Sequence, residues 1–193
     1  MQTQTKQEAA KSRYSNKILT VPNVLSFVRL AMIPLICYCY LCLKNSLFTA
    51  LLLAISGLTD VADGFIARQF NMISDLGKAL DPVADKLTQF IMLLCLVSRF
   101  PHMLAAVVLL AVKEAVNGAS NIYLTRRTGK VYGALWHGKL ATALLYAVMF
   151  LHLVWYSIKP LVSDILIGVC IAVMVMSAVL YAVRNIKVLN KQQ

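Results

Sequence analysis

Apolar runs about as long as a bilayer is thick set the strongest limit on how this chain can fold. Six of them follow one another, over residues 23–43, 46–67, 82–99, 102–124, 137–157 and 161–183. A helix needs about 20 predominantly apolar residues to cross the hydrocarbon core. Inside that core every backbone N–H and C=O needs an internal partner, so runs of this length and number predict helices. At 193 residues the chain holds six such spans and little else. Hydrophobic residues make up 60% of it and charged residues 14%, against about 25% charged in an average soluble domain. The expected class is an all-α integral membrane protein. It has six transmembrane helices in one domain over 21–193, preceded by a basic interfacial segment over 1–20.

The net charge of +11 does not point to nucleic acid. The basic residues flank the apolar runs, as expected for topology signals and for contact with anionic headgroups. One set of connections carries Lys6, Lys11, Arg13, Lys17, Arg68, Lys78, Arg126, Arg127, Lys130, Arg184, Lys187 and Lys191, and the other only Lys44, Arg99 and Lys159. This asymmetry predicts both termini, and the connection between the second and third helices, on the cytoplasmic side. The five cysteines (Cys37, Cys39, Cys42, Cys95 and Cys170) lie in apolar runs without metal-site spacing and read as small buried hydrophobes.

Against this background the stretch D60-V-A-D-G-F-I-A-R-Q-F-N-M-I-S-D-L-G-K-A-L-D-P-V-A-D85 stands out, because it holds five of the chain's eight acidic residues. Asp60 and Asp63 are spaced i, i+3 and share a helix face with Ala67. Asp81 and Asp85 are spaced i, i+4 and share a face of the next helix. Pro82 suits the first turn of that helix, which places its start near 82 and leaves Asp75 in the preceding turn, off both faces. The turn lets the two helices lie antiparallel and the two acidic faces converge. Each ionised Asp near the bilayer centre costs about 2.5–3.5 kcal/mol on insertion scales, and mutual repulsion adds to that. Arg68 alone cannot balance four aspartates. Divalent cations can. A hard, all-oxygen donor set suits Mg²⁺ or Mn²⁺ rather than zinc, and two such ions would fit a diphosphate substrate.

Written with its gaps, D60-x2-D63-G64-x2-A67-R68-x8-G77-x3-D81-x3-D85 resembles the signature of the CDP-alcohol phosphotransferase family, with every fixed position present. The opening V21-P-N-V-L-S-F-V-R29 is also similar to the way many members begin their first helix. The resemblance implies transfer of a phosphatidyl group from CDP-diacylglycerol to an alcohol, with release of CMP. It implies that Asp60, Asp63, Asp81 and Asp85 hold two divalent ions and that Asp85 is the general base. Asp63, Gly64, Ala67, Arg68 and Gly77 would then bind the CDP donor, with the small residues against the nucleotide and Arg68 on phosphate. A homodimer is implied as well.

The acceptor must be read elsewhere. Lys113 and Glu114 interrupt the fourth apolar run, and ionisable residues inside a span are functional by default. Adjacent residues on a helix do not face one another, so a direct pair between them is not assured. The segment R126-R-T-G-K130-V-Y-G-A-L-W-H-G-K139 suits an anionic headgroup or phosphate. Arg126, Arg127, Lys113 and Lys139 are therefore the candidate acceptor-binding residues, while His137 reads as interfacial, and His102 and His152 as uninvolved. G138-K-L-A-T142 is similar to the G-K-x-K-T of the phosphatidylglycerophosphate synthases of the family, whose acceptor is glycerol 3-phosphate. Ala141 replaces the second lysine. Cardiolipin synthases, whose acceptor is phosphatidylglycerol, resemble the chain in V21-P-N and A67-R68. Glycerol 3-phosphate is the first expectation, phosphatidylglycerol the second, and serine or another small alcohol the third. Outside the family, a membrane prenyltransferase or a cation transporter could use clustered aspartates. The former lacks the glycine-arginine frame and needs more helices, and the latter would spread its charges over several spans.

Overall fold

The computed structural model describes residues 21–69, 75–129, 135–155 and 157–190. Among them are six helices: α1 (Val21–Leu41), α2 (Ser46–Gln69), α3 (Asp75–Val97), α4 (Met103–Thr128), α5 (Trp136–Val154) and α6 (Pro160–Asn190). Four contain spans long and apolar enough to cross a membrane, Asn23–Leu41, Met103–Arg127, Trp136–Val154 and Pro160–Leu189, and α2 adds a shorter apolar stretch, Ser46–Thr59. The chain is an all-α, multi-pass membrane protein, and its contacts divide it into two compact units, one ending at Ile91 and the other beginning at Met92.

In the first unit α1 and α2 form an antiparallel hairpin. Its connection is short because both helix ends are satisfied locally. Lys44 takes a left-handed φ of 51°, while Leu43 and Asn45 donate their backbone N–H groups to the carbonyls of Tyr38 and Cys39, both at 3.1 Å. Asn45 then caps α2, its Oδ1 accepting from Phe48 N at 3.0 Å, a bond worth about 1 kcal/mol. Ile33, Ile36, Cys39 and Tyr40 of α1 are buried, as are Thr49, Ala50, Leu52, Leu53 and Ser56 of α2. In lipid such helices associate through close packing and hydrogen bonds, since the tails are as apolar as the side chains, and small residues at the seam favour close approach.

The third helix differs from expectation. It begins at Asp75, about two turns before Pro82, which lies inside it. Proline removes one N–H from the ladder, and an aspartate at a helix start is favoured by the helix dipole. The dipole preference suits a start at Asp75, and the helix carries the cost of the missing bond at Pro82.

In the second unit α6 packs against both α4 and α5. Its buried positions, Ser163, Ile167, Cys170, Met174, Ser177, Tyr181 and Asn185, recur every three or four residues, the period of a helix seam. Leu161, Ile165, Val169, Val179, Val183 and Ile186 form the opposite, exposed stripe. A long exposed apolar stripe of this kind is a lipid-facing surface. The α4 helix ends with Gly129 in the left-handed conformation (φ 66°), its N–H bonded to Thr125 O at 2.9 Å. Only a residue without Cβ adopts that backbone easily.

Candidate active site

The aspartates fall on two consecutive helices, as the spacing predicts. Asp60 and Asp63 belong to the second half of α2, with Gly64 directly after Asp63 and Ala67 and Arg68 about one turn beyond it; Gly77, Asp81 and Asp85 belong to α3. The side chains of Asp60, Asp63, Arg68 and Asp81, and the surroundings of Gly64, Ala67 and Gly77, lie outside the described residues. So does Lys130. Asp85 is described. It is partly buried, and its Oδ2 accepts a hydrogen bond from Gln89 Nε2 at 2.9 Å, one helical turn on.

Gln89 bears on whether this set of residues suits a divalent cation. It is a neutral donor, so its hydrogen bond leaves the charge of the Asp85 carboxylate uncancelled. The four positions of the motif supply oxygen alone, the donor set that Mg²⁺ and Mn²⁺ take. Among the described residues no group of three or more His, Cys, Asp or Glu side chains gathers.

The α1 helix adds a feature that motif reading does not single out. Asn23, Ser26 and Arg29 are 0%, 0% and 1% exposed, and all three are engaged in polar interactions. They recur at i, i+3 and i+6 and so share one helix face. Both helices of the hairpin rise about 1.5 Å per residue, so positions equally far from the connection are level. Arg29 comes level with Leu58, Ser26 with Val61 and Asn23 with Gly64. The stretch of α1 that carries this buried polar face is thus level with the half of α2 that carries Asp60 and Asp63. The signal was present in the sequence, as three polar residues at helical spacing in an otherwise apolar run.

The candidate acceptor residues belong to the second unit. Arg126 and Arg127 are exposed in the last turn of α4, where cations suit the helix dipole, and Arg127 Nη1 donates to Tyr123 Oη at 3.2 Å. Lys139 is exposed in the first turn of α5. Lys113 is different. It continues the buried stripe of Met103, Ala106, Val107 and Leu110 at 5% exposure, and its Nζ donates to Glu114 Oε1 at 3.1 Å. The adjacent pair that helix geometry left open does form, giving the buried ammonium a counter-charge.

His137, which the sequence reads as interfacial, is packed inside the protein at the start of α5. It is 4% exposed, its Nδ1 lies 3.1 Å from Ser177 Oγ, and its ring meets Tyr181 edge-on with centroids 4.7 Å apart. The Tyr181 hydroxyl accepts from Leu135 N at 2.9 Å, just ahead of α5, and the Arg184 guanidinium lies over the Tyr181 ring. This cluster fixes where α5 begins. Its signal is faint in sequence, because Ser177 and Tyr181 lie some 40 residues away. At the other end of α5, His152 donates from Nδ1 to Val148 O at 2.7 Å and meets Ser163 Oγ through Nε2 at 2.9 Å. Exposed His102 pairs with Asp164 at 2.6 Å.

Residues 19–183 match the family model described as CDP-alcohol phosphatidyltransferase. The chain is 42% identical over 80 residues to a cardiolipin synthase (CMP-forming) of Streptomyces coelicolor, covering 38% of this chain and 36% of that one. It is 48% identical over 80 residues to a cardiolipin synthase (CMP-forming) of Rattus norvegicus, covering 40% and 26%. It is also 43% identical over 76 residues to a CDP-diacylglycerol–glycerol-3-phosphate 3-phosphatidyltransferase of Aquifex aeolicus, covering 39% and 42%. The matched stretches span roughly a quarter to two-fifths of these relatives' own lengths.

Proposed function

Because the chain belongs to the CDP-alcohol phosphatidyltransferase family, we propose that it transfers the phosphatidyl group of CDP-diacylglycerol to an alcohol, releasing CMP, and that the alcohol is phosphatidylglycerol. The observation that carries the reaction class is the complete Asp60–Asp85 frame within the matched region. Asp60, Asp63, Asp81 and Asp85 would hold two divalent cations, which supply charge neutralisation for the diphosphate. Asp85 takes the proton from the acceptor hydroxyl as its oxygen bonds to the lipid-bearing phosphorus. The bond from that phosphorus to the bridging oxygen breaks, and CMP leaves. Chemistry of this kind depends on positioning and on stabilising developing charge. The donor's acyl chains stay in lipid while its head reaches the aspartates from the cytoplasmic side.

Glycerol 3-phosphate was the first expectation from sequence, and two observations favour phosphatidylglycerol over it. The relatives from Streptomyces coelicolor and Rattus norvegicus are both named as cardiolipin synthases (CMP-forming). The second is Ala141, which stands where the glycerol-3-phosphate branch has a second lysine and is 1% exposed on the inner face of α5. A phosphomonoester dianion calls for more cations than a phosphodiester, and this chain has one fewer. The relatives that act on glycerol 3-phosphate keep that acceptor as the second reading.

The test is CMP release by purified protein with CDP-diacylglycerol and Mg²⁺, with phosphatidylglycerol, glycerol 3-phosphate, serine and inositol offered separately. Release with phosphatidylglycerol, with cardiolipin as product, is expected. Release with glycerol 3-phosphate alone moves the assignment to that acceptor, and no release with any acceptor, in Mg²⁺ or Mn²⁺, overturns the reaction class.

A further inference from the structure

We propose that Gln89 is a positioning residue that holds the Asp85 carboxylate in its working orientation, an inference that rests on the functional reading above. Gln89 is 0% exposed, and its Nε2 donates to Asp85 Oδ2 at 2.9 Å. Its other amide atom, Oε1, is buried with no hydrogen-bond partner among the described residues. An amide placed there for packing alone would be a poor choice. A buried carbonyl without a donor is destabilising, and a leucine or methionine would fill the space without that cost.

The neighbouring residue shows the contrast. Thr88 is also buried, at 2% exposure, but its hydroxyl donates to Ala84 O at 2.8 Å and is satisfied by its own helix. Gln89 instead sends its donor to a carboxylate of the acidic motif, and its acceptor meets no donor among the described residues. The polar atom that is satisfied is the one that reaches Asp85.

The chemistry explains why such a contact matters. A carboxylate that must both bind a cation and take a proton works only in a narrow range of orientations. A hydrogen bond from one helical turn away fixes its χ angles before any ligand arrives. Partners of this kind behind ligating carboxylates generally matter about 10- to 100-fold in metal affinity or activity.

The test uses the full chain in detergent or nanodiscs, with three variants and two readouts. Gln89→Met keeps the length and removes the donor. Gln89→Asn keeps the amide but is too short to span the turn. Thr88→Val changes the adjacent buried residue. Mn²⁺ binding to the protein alone is followed by electron paramagnetic resonance of the free ion, and CMP release is measured at saturating Mn²⁺. Both Gln89 variants are expected to bind Mn²⁺ about 10-fold more weakly and to retain a kcat at least about 10-fold lower once saturated. Thr88→Val should match the wild type in both. Wild-type Mn²⁺ affinity and kcat in Gln89→Met and Gln89→Asn overturn the assignment while leaving the reaction intact. A wild-type protein that neither binds Mn²⁺ nor releases CMP with any acceptor overturns the functional reading first, and the role of Gln89 with it.

Discussion

Replacing Gly138 with alanine should destabilise the protein, although the same change in an open helix does the opposite. A Cβ built at Gly138 would lie 2.9 Å from Cε2 and 3.1 Å from Cζ of Tyr181, and closer still to its hydroxyl. Glycine to alanine inside a helix ordinarily gains up to about 1 kcal/mol. Overpacking a filled site costs about 1–3 kcal/mol. Displacing Tyr181 also breaks the bond it accepts from Leu135 N, a further loss of about 1 kcal/mol. The net is a destabilisation of about 1–3 kcal/mol, or a Tm lower by about 3–10 °C on the scale of soluble proteins of this size. Thermal unfolding in detergent reads it directly. Gly118 and Gly168 are helical glycines where an added methyl would meet nothing within 4 Å, so Gly118→Ala and Gly168→Ala should be neutral or stabilising. In a Tyr181→Ala background the cost of Gly138→Ala should vanish, since the ring it meets is gone. If Gly138→Ala is as stable as Gly168→Ala, or if its cost survives Tyr181→Ala, the steric account is refuted. The glycine of G138-K-L-A-T142 would then have to be explained by the acceptor rather than by the approach of α6.

Arg29→Met should destabilise the protein by about 1–3 kcal/mol, because Arg29 is 1% exposed and engaged in polar contact and its loss leaves a buried partner unsatisfied, and Arg29→Lys should restore only part of that, lacking the planar fork; thermal unfolding reads it, and a wild-type Tm in Arg29→Met would refute it. Lys139→Ala should raise the acceptor KM more than the donor KM in steady-state CMP release, and an equal effect on both would remove Lys139 from the acceptor pocket. Asn45→Ala should lower stability by about 1 kcal/mol through loss of the α2 cap without changing kcat; thermal unfolding together with CMP release checks both halves.

The helices were legible because apolar length is a nearly sufficient signal in lipid. Expected starts at 23, 46, 102, 137 and 161 fall within two residues of α1, α2, α4, α5 and α6. The start of α3 was not legible, since Pro82 by itself favours a first turn, and sequence does not show that the helix carries the missing bond instead. The end of α6 ran further than expected, to Asn190, because apolar length marks where a helix leaves lipid and not where it stops being a helix.

The candidate site divides along a similar line. The aspartates could be found because ionised groups in an oily chain are costly wherever they sit, so their presence alone demands a reason. Gln89, His137 and the Asn23-Ser26-Arg29 face demand one only once their burial is known, since an amide or imidazole at a membrane surface costs little. Burial alone does not finish the argument either. Thr88 and His152 are as buried as Gln89, yet Thr88 bonds back to its own helix and His152 bonds its own helix and Ser163. Their polarity is absorbed by the packing. The informative residue is one whose burial cost the fold leaves partly uncompensated, and Gln89, with one amide atom on Asp85 and the other without a described partner, is such a residue. That criterion needs both a solvent-exposure map and a hydrogen-bond map, and neither can be written from the chain's periodicity.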